Sequence, residues 1–176
     1  MKDKKTIKKI RLYIIYILII FGLAFILQSY VFSRVVVSGP SMQPTFNNND
    51  VIFIEKVSTE IGYINRGEII VFNSHRESNS NYIKRVIGIA GDKIRIKNSK
   101  VYLNGKLLSE DYLPKGTDTE SNSINTEYIV PNGYVFVLGD NRGNSTDSRI
   151  LGPISVRDIT GHVVIRIYPF SEIKIF

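Results

Sequence analysis

The chain has 176 residues, 43% of them apolar, no cysteine and a formal charge of +7. That length suits one domain with accessories rather than two ordinary domains. The missing cysteines exclude disulfides, thiolate metal sites and a cysteine nucleophile.

The charge lies in a tail. Residues 1–11, "MKDKKTIKKIR", carry a net +5, which leaves +2 for the rest of the chain. A basic nucleic-acid-binding face on the main domain is therefore not expected. Next comes "LYIIYILIIFGLAFILQSYVF", residues 12–32, without a charged residue. About 20 helical residues cross a bilayer, so this stretch is long enough to span. Tyr13, Tyr16 and Tyr30 lie towards its ends, where interfacial aromatics sit. Cations before the span and few after it place the N-terminus in the cytoplasm and the remaining chain outside. A cleaved signal peptide would have a shorter apolar run followed by small residues. Here the run ends in "QSYVFSRVVV", so an uncleaved anchor is the reading.

From Val35 onward the pattern is β. Residues 35–37, 50–57, 68–73, 82–90, 92–97, 133–139 and 161–170 read as short strands rich in β-branched and aromatic residues. In "KVYLNGKLL", residues 100–108, Asn104-Gly105 between two apolar pieces is a strong hairpin signal. Residues 109–127 are polar and turn-rich, and read as a surface excursion. The expected organisation is a tail (1–11), a transmembrane anchor (12–32) and an all-β, antiparallel, folded or barrel-like domain (33–176).

Three stretches carry candidate chemistry. In "VVVSGPSMQPTF", residues 35–46, a strand stops and Ser41 stands in a turn. A serine needs a base to act as nucleophile. His75, in a polar loop, and His162, at a strand start, have no recognisable partner pattern and read as ordinary surface or edge histidines. Lys84, in "NYIKRVIGIAGD", shares a strand face with Tyr82 and Val86. Burial there would lower its pKa and free the amine to act as a base. From this stretch alone, a lysine snorkelling at a sheet edge stays open. "GDNRGNSTDSR", residues 139–149, reads as a long turn, but Asp140, Arg142, Asp147 and Arg149 could brace it. "SEIK", residues 171–174, has Ser-x-x-Lys spacing but falls at the end of a β-rich chain, and is discounted.

Taken together and in this order behind one span, "SGPSMQPT", "YIKRVIGIAGD" and "GDNRGNSTDSR" resemble the type I signal peptidases in their single-span Gram-positive form. The resemblance covers essentially the whole chain. It implies a membrane-bound serine–lysine endopeptidase, with Ser41 as nucleophile and Lys84 as general base. It also implies Ser145 as the hydroxyl holding the lysine amine, Asp147 and Arg149 as a supporting pair, and Met42, Tyr82 and Ile83 at the substrate pocket. The implied partners are signal peptides of exported preproteins, membrane lipid and the export translocon, with no metal or cofactor. Two positions depart from the pattern. Gly39 stands where some members have a serine two before the nucleophile, so the oxyanion hole is expected to rest on backbone N–H groups, Ser41 N–H first. Gly143 stands where an acidic residue is often seen, which removes one loop charge. The alternative functional reading is a membrane-anchored β domain that binds without catalysis.

Overall fold

A 30-residue helix, α1 (Lys2–Val31), leads directly into the first strand. The structure is a computed structural model and describes residues 2–75, 81–121 and 127–176. The helix already includes the basic tail, because Lys and Arg are good helix formers and nothing breaks the run. From Thr6 to Phe25 its side chains are exposed. Among the described residues no helix is long and apolar enough to cross a membrane. The expected span passes through residues 26, 27, 29 and 30, whose side chains lie outside those described. Phe32, expected as the end of the span, is instead the first residue of a strand, paired opposite Glu55.

The rest is antiparallel β, as expected. One sheet is built from β1 (Phe32–Val36), β2 (Val51–Glu55), β3 (Ile69–Asn73), β4 (Asn81–Gly88), β9 (Tyr134–Leu138), β10 (Ile154–Ser155), β11 (Ile159–Tyr168) and β12 (Lys174–Ile175). Its order is β1-β2-β11-β3-β4-β9-β10, with β12 on β11. The path has two ends, β1 and β10, rather than closing into a ring. The second sheet is β7-β6-β5-β8, from β5 (Lys93–Lys97), β6 (Lys100–Leu103), β7 (Lys106–Leu107) and β8 (Tyr128–Ile129). Asn104 and Gly105 both take positive φ, 52° and 80°, as the expected two-residue hairpin turn requires.

Burial follows sequence alternation only where one face is wet. In β5, Ile94 and Ile96 are buried while Lys93, Arg95 and Lys97 are exposed. In β4, Ile83 to Gly88 are all buried, because neighbours cover both faces. The sequence reading missed the short helices α2 (Val57–Glu60) and α3 (Ser148–Leu151), and the two-residue strands β8, β10 and β12. These are too short for periodicity to register. The strand expected over 161–170 ends at Tyr168, because Pro169 has no N–H to continue the ladder.

His162 corrects the reading of an edge histidine. It lies in β11, between β2 and β3, and is only 5% exposed. One apolar cluster, including Val37, Met42, Phe46, Ile52, Val71 and Ile83, sits directly beneath the turn that carries Ser41.

Candidate active site

Ser41 lies in the turn between β1 and β2, and the sequence determines that turn's shape. Gly39 adopts φ +89°, a conformation L side chains rarely take, and its N–H donates to Asn48 Oδ1 at 3.0 Å. Met42, 1% exposed, is driven into the core and pins the turn from below. Phe46 N–H donates to Met42 O and Gln43 N–H to Pro40 O. From the far side Asn141 N–H donates to Ser41 O at 3.0 Å, and Asn141 Nδ2 donates to Pro40 O at 3.1 Å.

Lys84 does not snorkel to solvent. It is in β4, opposite Ile70 of β3, and is 3% exposed. Its Nζ donates to Ser41 Oγ at 2.8 Å and to Ile83 O at 2.9 Å, and lies 5.3 Å from the centre of the Tyr82 ring. Burial disfavours the ammonium and lowers the Lys84 pKa to about 8, while the charges of Asp147 and Asp140 oppose the shift. Both carboxylates carry arginine partners. Arg149 reaches Asp147 through Nε and Nη2 at 2.8 Å each, and Arg85 reaches Asp140 at 2.9 and 2.7 Å.

The last motif wraps behind the pair. Asp147 Oδ2 accepts from Gly139 N–H at 3.0 Å, and Oδ1 accepts from Arg149 N–H, capping α3. A Cβ at Gly139 would lie 2.2 Å from Ser145 Oγ and 2.6 Å from Ser41 O, so only glycine lets the two segments meet. The expected hydrogen bond between Ser145 and the amine is not formed here. Ser145 Oγ is buried and makes no hydrogen bond among the described residues. Gly143 faces open space, with nothing within 4 Å of the place a Cβ would take. Arg142, in the same loop, pairs instead with Glu110.

Ser41 and Lys84 open onto a cleft of about 490 Å³, whose walls include Val35, Gly39, Met42, Tyr82 and Ile83. Asn144 and Thr146 also line it, and the sequence reading had given neither a role. Arg85, Asn141 and Gly139 were likewise not assigned, while Asp140, expected to brace the loop, does so by pairing with Arg85. A signal existed for Arg85. Adjacent Lys84 and Arg85 in one apolar strand must point to opposite faces, so each needs its own partner. The histidines are elsewhere: His75 Nε2 contacts Asp158 and His162 Nδ1 contacts Glu68, each at 2.9 Å. Among the described residues no cluster of three metal-ligating side chains occurs.

A serine hydroxyl against a buried amine of lowered pKa, in the wall of a cleft, is the arrangement a serine hydrolase with a lysine base requires. The chain belongs to the family described as signal peptidase, peptidase S26, which it matches over residues 10–168. It is 40% identical over 156 residues to a signal peptidase I of Bacillus caldolyticus, covering 83% of this chain and 85% of that one. It is 34% identical over 181 residues to a signal peptidase IB of Staphylococcus aureus, covering 95% and 94%. A crystal structure of a signal peptidase I from Enterococcus faecalis is 33% identical, with a TM-score of 0.48, over 56% of this chain and 95% of that one.

Proposed function

We propose that this chain is a membrane-anchored serine endopeptidase that removes N-terminal signal peptides from exported preproteins, with Ser41 as nucleophile and Lys84 as general base. The observation that carries the reading is the 2.8 Å contact of Lys84 Nζ with Ser41 Oγ inside the cleft. The neutral amine takes the Ser41 proton as Oγ attacks the scissile carbonyl carbon. Backbone N–H groups, that of Ser41 first, hold the resulting oxyanion. The intermediate collapses, the peptide C–N bond breaks, and the Lys84 ammonium gives its proton to the leaving amine. Lys84 then takes a proton from a water whose oxygen attacks the acyl carbon; the acyl C–Oγ bond breaks, the product acid leaves, and the Lys84 ammonium returns the proton to Ser41 Oγ.

The substrate lies extended between two unpaired backbone edges. β1 ends the sheet, and residues 81–84 of β4 precede the pairing with β9, which begins at Arg85. Met42, Tyr82 and Ile83 wall the cleft, where the small residues at a signal-peptide cleavage site would sit. Asp147 and Arg149 support the pair from behind, and Ser145 stands ready to receive the amine when it turns from Ser41. α1 anchors the enzyme with residues 1–11 in the cytoplasm and residues 33–176 outside, in contact with lipid and beside the export translocon. A binding domain without catalysis leaves the burial of a lysine against a serine without purpose.

Purified native chain and Ser41→Ala are compared on a preprotein with an intact signal peptide. Native chain cuts once at the signal-peptide boundary, and Ser41→Ala is slower by about three decades or more. Equal cutting by the two proteins removes Ser41 from the mechanism.

A further inference from the structure

The excursion at residues 109–127 does not behave as the loose surface loop its composition suggests. Residues 122–126 lie outside the described residues, but from Ser109 to Ser121 the segment packs against three buried or half-buried arginines. Arg142, 3% exposed, pairs with Glu110 through both terminal nitrogens, and donates to Thr119 Oγ1 at 2.7 Å and to Tyr112 OH at 3.2 Å. The Tyr112 ring lies under Arg85, its centre 4.0 Å from the guanidinium carbon. Glu120 O accepts from Arg149 Nη1 at 3.3 Å. Each of these arginines comes from a segment next to the reacting pair.

Two short routes run from this contact to Ser41. Arg142 Nε donates to Gly139 O at 3.0 Å, and its neighbour Asn141 donates to Ser41 O. Arg85, the residue after Lys84, holds Asp140, and Asp140 accepts from Thr45 Oγ1 within the Ser41 turn. A guanidinium taken out of water needs partners for its fixed fork of donors. Glu110, Tyr112 and Thr119 satisfy Arg142 on the side away from the site, and that leaves its Nε aimed at Gly139. The excursion thereby fixes the arginines, and the arginines fix the turn that holds the Ser41 backbone.

Resting on the Ser41–Lys84 reading above, we infer that residues 109–121 are a positioning element of the peptidase site, in which the Tyr112 ring acts on Ser41 through Arg85 and Glu110 acts on it through Arg142. Tyr112 touches neither the cleft nor the reacting atoms, so its loss disturbs alignment and leaves substrate contacts in place. Small misalignments of a reacting group cost up to about a hundredfold in rate.

The test is steady-state cleavage of a preprotein by full-length native chain, Tyr112→Ala, Tyr112→Phe, Glu110→Gln and Ser41→Ala, each checked for fold by circular dichroism. Tyr112→Ala loses about ten- to a hundredfold in kcat, with KM within about threefold of native. Tyr112→Phe, which keeps the ring under Arg85, recovers kcat to within about threefold. A folded Tyr112→Ala with native kcat overturns the inference, as does a Tyr112→Phe damaged as badly as Tyr112→Ala. If Tyr112→Ala does not fold, Glu110→Gln decides: reduced kcat at unchanged KM supports the inference, and native kcat overturns it. A native chain that cuts no better than Ser41→Ala defeats the peptidase reading itself, and the inference with it.

Discussion

Lys84 sits between opposed effects. Burial removes water from its ammonium, and Asp147 and Asp140 partly restore the charged form, leaving a pKa of about 8. The arginines beside those carboxylates limit their pull. The consequence is kinetic. At an ordinary lysine pKa of about 10.4, roughly one chain in 2,500 holds a neutral amine at pH 7, whereas at a pKa near 8 about one in ten does. On the proposed mechanism the neutral form is the base, so kcat/KM rises with pH and levels off above about 8. Lys84→Arg stays folded and protonated at every working pH, and is inactive. A pH–rate profile of native chain and Lys84→Arg measures both. An inflection near 6.5 that vanishes when His75 and His162 are replaced would sink the lysine base.

At the scale of elements, the site is a meeting of three chain segments, and a glycine permits it. β4 brings Lys84, the β1–β2 turn brings Ser41, and the loop after β9 brings Gly139 against both Ser145 and Ser41 O. In Gly139→Ala the new methyl collides with backbone at Ser41 O, 2.6 Å away, which cannot rotate aside. Forced overpacking of this kind costs about 1–3 kcal/mol. Because the displaced atom belongs to Ser41, the proposed nucleophile, kcat falls more than stability alone predicts. Gly143→Asp, four residues on, introduces the acidic residue that the family resemblance leads one to expect, at a position with no neighbour within 4 Å. It changes stability by no more than about 0.5 kcal/mol. Thermal melts with cleavage rates on the two variants check the contrast, and equal behaviour of both would show that the close approach at Gly139 does not matter.

For the whole molecule, the open question of architecture is α1. A helix with exposed isoleucine, leucine and phenylalanine on all sides has no reason to persist in water. The uncleaved anchor proposed above predicts a definite topology. The mature protein retains Met1–Lys5, and protease added outside intact cells removes residues 33–176 while the tail survives. N-terminal sequencing of the membrane fraction and protease shaving with tail- and domain-directed antibodies test this. A mature N-terminus beyond Phe32 refutes the anchor.

Much of this protein was legible as sequence because the signals are local. Alternation in β5, Asn-Gly at the hairpin and the charge-free run after the basic tail each depend on neighbouring residues alone. The three motifs named the family and pointed to Ser41 and Lys84 as a pair. What sequence could not decide is which groups come close when segments far apart in the chain pack together. Lys84 alone read as a snorkelling edge residue, and only the packing of the Ser41 turn against β4 buries it and lowers its pKa. His162 looked like an edge residue for the same reason, and it too is buried. The excursion looked like solvent-facing loop because its residues are polar. Their partners, Arg85 and Arg142, lie 27 and 32 positions away from Tyr112 and Glu110, and desolvation makes that polar contact matter. Local pattern sets strands and turns, but burial and pairing are properties of the folded whole, and the chemistry of the site depends on those.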